Sequence, residues 1–226
     1  MKQYIWIFIG LITIVSCQQK SEYRRQLEAG LASGERYDTL FFGYHFGMTK
    51  QQFFDRSWEL NKQQLVYQGP VNQTVQYDLR DGQLKLPAAM NFYPAFYKDK
   101  AWEIPVKFEY RGWAPWNKER SATALRKDVL RLLEEWHGEG FFEVPHPIDS
   151  TAYIKIDGNR RITVVRDIGD KYVNVTYTDL TLEKQAEEEQ KKVYEEGKKK
   201  LEEEKKRLME LQKQREGENE DSLSIE

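Results

Sequence analysis

The chain has 226 residues, with 35 Lys or Arg against 37 Asp or Glu and a formal net charge of −2. Without a basic surplus it lacks the electrostatic footprint of a nucleic-acid binder. One cysteine excludes an intramolecular disulfide and any thiolate metal cluster.

Lys2 supplies a minimal positive start, and Ile5 to Val15 is a nearly unbroken apolar run. The run is shorter than the ~20 residues a permanent bilayer helix needs, and its layout is that of a secretory signal. Ser16 is the small residue a signal peptidase accepts, and Cys17 follows it directly. Ile14-Val15-Ser16-Cys17 resembles the signal of bacterial lipoproteins. The resemblance implies cleavage after residue 16, diacylglycerol on the Cys17 sulfur and acylation of its new amine. Because each buried methylene contributes about 0.8 kcal/mol, two or more acyl chains would hold the protein on the membrane permanently. Gln18 stands where an Asp would signal inner-membrane retention, so the resemblance places the protein at the outer membrane, facing the periplasm or the surface. The alternative is a lone thiol inside an ordinary secretory signal.

Residues 17–36 read as a lipid-anchored tether: Gln18, Gln19, Lys20, Ser21 and Glu22 offer little to pack, and a turn of helix near Tyr23 to Glu28 has little to bury. Residues 37–182 carry the folded domain. Leu40, Phe41, Phe42, Tyr44 and Phe46, ending at Gly47, read as a strand and turn. Thr49 with Gln52 forms a capping-box pattern, predicting a helix over roughly 50–63 with Phe54 and Trp58 on one face. Short strands follow around 65–67 and 74–79, then a tight turn at Asp81-Gly82, and an apolar segment with Met90, Phe92, Phe96 and Tyr97. The clearest alternation is Trp102, Ile104, Val106, Phe108 and Tyr110 with polar residues between, a strand with one face packed and one wet. Pro105 on its polar side cannot donate to a ladder and points to an edge strand.

A second helix is capped at Ser121, striped by Leu125, Val129, Leu132, Leu133 and Trp136, and stopped by Gly138. Strands follow at 152–156, 161–165 and 171–177. Residues 47–110 and 121–178 thus each run helix, strand, strand, strand, and the fold class is α+β, antiparallel sheet with two packed helices.

After Leu182 the chain is Glu- and Lys-rich: residues 183–220 hold 13 Glu and 11 Lys or Arg. Six acid-first pairs at i, i+4, such as Glu195/Lys199 and Glu202/Lys206, predict a solvated helix over 183–216. Tyr194, Leu201 and Leu208 lie seven apart and sketch a coiled-coil seam, which Gly197 and Glu204 interrupt. Residues 217–226 lack such support and are expected to be a disordered tail.

No nucleophile elbow, phosphate-binding glycine loop or nucleotide fingerprint is present. His45, His137 and His146 share no metal-helix spacing, and His137 at a helix end has a structural reason to be there, protonated against the helix dipole. The sequence therefore reads as non-catalytic, with no cofactor and no metal. The aromatics offer one binding feature: Tyr93, Tyr97, Trp113 and Trp116 lie in proline-containing loops, where exposed rings form a platform for a glycan or peptide. The alternative is that these rings fill a small core.

Gly47-Met48-Thr49-Lys50-Gln51-Gln52-Phe53, opening a helix before antiparallel strands, resembles small lipoproteins of the outer-membrane β-barrel assembly machinery. Asp38-Thr39-Leu40, Asp149-Ser150-Thr151 and Asp221-Ser222-Leu223 resemble the O-glycosylation pattern of Bacteroidota exported proteins, which makes Thr39, Ser150 and Ser222 candidate acceptors. The resulting expectation is an outer-membrane lipoprotein that serves as a binding or scaffold subunit, with the membrane and an envelope protein as partners and no nucleic acid. A glycan- or peptide-binding module is the alternative.

Overall fold

The computed structural model describes residues 21–71, 73–147 and 149–223, so Ile14-Val15-Ser16-Cys17 lies outside the described residues. The described part is α+β. Its elements are α1 (Glu22–Ser33), α2 (Lys50–Lys62), β1 (Tyr67–Gln68), β2 (Val75–Asp78), β3 (Ala88–Phe92), β4 (Ala95–Tyr97), β5 (Lys100–Tyr110), α3 (Ala122–His137), β6 (Phe142–His146), β7 (Ser150–Asp157), β8 (Arg160–Arg166), β9 (Tyr172–Asp179) and α4 (Leu180–Leu223). All nine strands join one sheet in the order β1-β2-β3-β5-β9-β8-β7-β6, with β4 also paired to β5. Every pairing is antiparallel.

The long alternation of β5 behaves as its pattern requires. Ile104, Val106, Phe108 and Tyr110 are buried, whereas Pro105 and Lys107 are exposed. Its expected place at a sheet edge is overturned, because β5 lies inside the sheet between β3 and β9. Pro105 is tolerated there because the neighbouring strand is interrupted beside it. The last β3 pair is Phe92 with Val106 and the first β4 pair is Ala95 with Glu103. The donor that proline lacks therefore faces a gap in the ladder.

The aromatic run before α2 is also not a strand. Only one bridge, Thr39 with His45, survives. Phe42 and Gly43 take φ values of 50° and 80°, and Leu40 N donates to Tyr44 O at 3.0 Å across the reversal. The resulting knot plugs Leu40, Phe41, Tyr44 and Phe46 into the core. Conversely β6, an edge strand containing Pro145, was not anticipated. Its side chains alternate between half-buried and exposed and give no apolar run to read.

One sheet face carries the main core. There α3 buries Ala122, Leu125, Val129, Leu132 and Leu133, and α2 buries Phe53 and Leu60. On the opposite face lie α1 and the start of α4. Residues 22–33, read as part of the tether, form a capped helix in which Ser21 Oγ accepts from Arg24 N at 3.3 Å. No residue of α1 is itself buried, so no apolar stripe announced it. The helix docks by polar and steric fit. Tyr23 Oη accepts from Arg161 Nη1 at 2.9 Å, and a Cβ on Gly30 would come within 2.8 Å of Ile156 Cγ2.

The segment after α1 is clasped to the β7–β8 turn. Tyr37 N donates to Asn159 Oδ1 at 2.7 Å, Asn159 Nδ2 donates to Asp38 Oδ1 at 3.0 Å, and Arg160 Nη1 donates to Thr39 O at 2.9 Å.

The C-terminal helix extends beyond 183–216 at both ends, and residues 217–223, expected to be disordered, continue it. Asp179 Oδ1 caps its start by accepting from Thr181 N at 2.9 Å. Leu180 and Ala186 are buried, Glu183 pairs with Arg161, and Glu189 binds Lys98 Nζ at 2.9 Å. Farther along, Tyr194, Leu201 and Leu208 are all exposed.

Candidate functional site

Phe54 and Trp58 do share a helical face, but it is not the core face. Phe53, Ser57 and Leu60 point inward instead. Ser57 Oγ is within 2.8 Å of Tyr44 Oη and donates to Phe53 O at 2.8 Å, which satisfies the one hydroxyl on that face. The signal was present in the sequence as the 53, 57, 60 spacing, masked by a serine in the middle. The two adjacent stripes compete, and the one with the larger rings loses. Trp58 is left 61 % exposed and Phe54 39 % exposed.

These rings face the β1–β2 edge of the sheet, and Tyr67 of β1 adds a third exposed aromatic. Between helix and edge runs an open groove of about 720 Å³, with Phe54, Trp58, Val66 and Tyr67 as apolar wall and Asn61 and Gln68 among its polar lining. Lys62 Nζ stands 5.5 Å above the Trp58 ring. β1 is two residues long and terminal in the sheet, so main-chain groups on its outer side have no strand partner. Apolar anchors beside an unpaired edge are the ingredients for holding an extended peptide.

The four aromatics singled out from sequence do not form one surface. Tyr97 precedes the first residue of β5 and Trp113 follows its last, and an 11-residue strand separates its ends by roughly 33 Å. Tyr93 packs edge-on to Phe53 at 5.5 Å. Tyr97 donates to Glu189 Oε2 on α4. Trp113 Nε1 donates to Asp170 O at 3.0 Å. Trp116 alone stands clear, 83 % exposed.

Among the candidate glycosylation positions, Thr39 and Ser150 are exposed, while Ser222 lies in the last turns of α4. Asp149, next to Ser150, is buried. Its carboxylate takes Arg126 Nη1 at 2.7 Å, Arg166 Nε at 2.6 Å and Arg166 N at 2.7 Å. That is a structural ion cluster fastening α3, β8 and the β6–β7 hairpin. Cys17 lies outside the described residues.

His137 departs from the sequence argument. Instead of being held protonated by the helix end, it lies under the sheet with Nε2 3.1 Å from Tyr177 Oη. Burial, aided by the Arg160 guanidinium, pushes its pKa down to about 4. His137 is thus neutral, and the Tyr177 phenol is pushed well above its ordinary value by the same burial. Among the described residues no group of three His, Cys, Asp or Glu is placed to hold a metal ion, and no helix is long and apolar enough to cross a membrane.

No family model matches the chain, and neither a curated protein nor a solved structure is similar to it. The functional reading therefore rests on the sequence and on the geometry above.

Proposed function

We propose that this protein is a non-catalytic outer-membrane lipoprotein of the Bacteroidota type, acting as a binding or scaffold subunit in the cell envelope. The observation that carries the binding half is the surplus apolar surface of α2. A helix with buried Phe53 and Leu60 has no folding need for an outward tryptophan, yet Trp58, Phe54 and Tyr67 line one groove. Contiguous exposed aromatics of this kind mark interaction sites. The occupant is an extended segment of an envelope protein, laid along the β1 edge with an apolar side chain between Trp58 and Tyr67. The anchoring half rests on Ile14-Val15-Ser16-Cys17 and on the chain's single cysteine.

The same reading keeps the pattern of a helix followed by antiparallel strands occurring twice, although five strands follow α2 and four follow α3 in place of three each. Supporting this, each run starts from a side-chain-capped helix, and the two meet through their last strands, β5 and β9, with Val106 opposite Val175. The charged helix α4 then leaves from the centre of the joined sheet as a spacer or partner-binding arm.

Two experiments test the proposal. Metabolic labelling with a tagged fatty acid should mark the wild-type protein and not Cys17→Ser. Equal labelling of both, or of neither, refutes the anchor. Purification of the full chain from detergent-solubilised membranes should bring down a partner that Trp58→Ala loses. A wild-type protein that always emerges alone and monodisperse refutes the scaffold role.

A further inference from the structure

Where α4 leaves the sheet it keeps an apolar face that nothing covers. Ala186 is buried against the body and Glu189 holds Lys98 Nζ at 2.9 Å, but every side chain from Lys191 to Met209 is exposed. The apolar groups on this free stretch are not scattered. Val193 lies seven residues after Ala186, and Tyr194, Leu201 and Leu208 are spaced by seven, so the face that docks on the sheet runs on into solvent.

The charges follow the same period. Tyr194-Glu195-Glu196-Gly197-Lys198-Lys199-Lys200 is followed by Leu201-Glu202-Glu203-Glu204-Lys205-Lys206-Arg207 and then Leu208. Each unit has one large apolar residue, two acids, a variable position and three bases. At about 3.6 residues per turn, Lys198 and Lys205 border the stripe on one side and Lys200 and Arg207 on the other. Glu195, Glu196, Glu202 and Glu203 fall on the outer face. The acids four residues before Lys200 and Arg207 support the helix weakly in water and leave both bases available.

That border decides what can cover the stripe. In a two-stranded coil the residues flanking the seam meet across it and set the choice of partner. Because both borders are basic, two copies of α4 would set base against base whether parallel or antiparallel. We infer that the free stretch of α4 is covered by an acidic amphipathic helix of a partner protein. Its apolar stripe takes Tyr194, Leu201 and Leu208, and its Glu or Asp borders meet Lys198, Lys200, Lys205 and Arg207. A Cβ on Gly197 would meet nothing within 4 Å, which leaves a recess beside Tyr194 for a large side chain of that helix. Glu204, the one acid inside the stripe, calls for a single Lys or Arg opposite and so fixes the register. The inference rests on reading α4 as a partner-binding arm, and it is independent of the groove beside α2.

The test uses the full chain in detergent micelles and designed helical peptides of about four heptads, with leucine along the seam and either Glu or Lys on its borders. Fluorescence anisotropy should show the acidic peptide binding and the basic one not, with affinity falling as salt rises from about 0.1 to about 0.5 M. A scrambled peptide of the same acidic composition should bind about tenfold more weakly or not at all. Leu201→Glu should weaken the acidic peptide about tenfold, and so should Lys198→Ala with Lys205→Ala, a pair that favours the helix. Trp58→Ala should leave peptide binding unchanged. Silence from the acidic peptide, or equal binding of the acidic and scrambled peptides, overturns the inference. So does a full chain that is dimeric alone and becomes monomeric with Leu201→Glu, which would give the stripe to a second copy. Protection of α4 from trypsin by phosphatidylglycerol vesicles but not by the acidic peptide would give it to a lipid surface and overturn the inference equally. Each of these failures leaves the groove beside α2 to be judged by its own co-purification.

Discussion

α2 and α3 each precede an antiparallel run of strands, each is capped by a hydroxyl side chain, and each lies on the same core, yet they spend their apolar residues differently. α3 turns Leu125, Val129, Leu132 and Leu133 inward, and all four are at most 1 % exposed. α2 buries only Phe53 and Leu60 and leaves Phe54 and Trp58 outside. The aromatic knot at Leu40–Phe46 accounts for the contrast. Tyr44 already fills the space beneath α2, its ring 5.2 Å from Phe53 and 5.1 Å from Phe92, while Phe41 packs between Phe92 and Trp136 of α3. A helix above a filled core keeps spare apolar surface, and spare surface beside a sheet edge can bind. On the proposed reading, the groove beside α2 is a binding surface, and α3 with its strands supplies framework alone.

Large effects should fall on the buried groups of the C-terminal half. Leu133→Ala removes a side chain with 0 % exposure, and such truncations cost about 3 kcal/mol through lost transfer energy and an imperfectly collapsed cavity. Urea unfolding should show the shift. Asp149→Ala should cost a similar amount, about 3 kcal/mol, because it strands the Arg126 and Arg166 guanidinium groups beside a buried position. If either variant unfolds at the wild-type urea midpoint, the C-terminal half is not the framework claimed here.

A pH experiment sharpens the same contrast. His137 titrates near 6.5 when unfolded and at about 4 in the fold. The unfolded chain therefore takes up more protons between those values. The stability due to neutral burial is complete above about pH 6.5 and is lost as pH falls towards 4, by about 3 kcal/mol in all. The charged groups facing the ring are Arg160, Lys155 and Asp157. Replacing His137 by Gln should flatten this acid slope, measured as the difference between variant and wild type from pH 7 to 4.5. Parallel slopes would place His137 in water.

How much of this was legible in the sequence follows from how each element makes its contacts. α3 and β5 could be read because each commits one full face to the core, and periodicity reports a committed face. α1 could not, since a glycine against Ile156 and a tyrosine hydroxyl on Arg161 leave no periodic trace. The aromatic knot misled for a related reason. Alternating rings look like a strand, but whether a chain pairs or turns back depends on the φ values of Phe42 and Gly43, and Phe42 gives no warning of a positive φ. The position of β5 misled because proline restricts only the ladder it faces, and the break between β3 and β4 is a tertiary fact. The separation of Tyr93 and Tyr97 from Trp113 and Trp116, by contrast, is legible, since the strand read from Trp102 to Tyr110 lies between the two pairs.

The smallest expected effect on stability is the most informative. Trp58 is 61 % exposed, and its ring meets the Lys62 ammonium at 5.5 Å, an exposed cation–π pair of at most about 1 kcal/mol. Trp58→Ala should therefore change unfolding free energy by no more than about 0.5–1 kcal/mol, as surface substitutions do. Its neighbour Phe53, with 0 % exposure, supplies the contrast within one helix, since Phe53→Ala should cost about 3–5 kcal/mol. The decisive pairing is between stability and capture. Trp58→Ala should keep the wild-type melting curve and lose the co-purifying partner, whereas Phe53→Ala should lose both together. If Trp58→Ala destabilises as much as Phe53→Ala, the tryptophan belongs to the core and the asymmetry between the two helices disappears. If it melts normally and still captures the partner, the groove beside α2 is not where that partner binds.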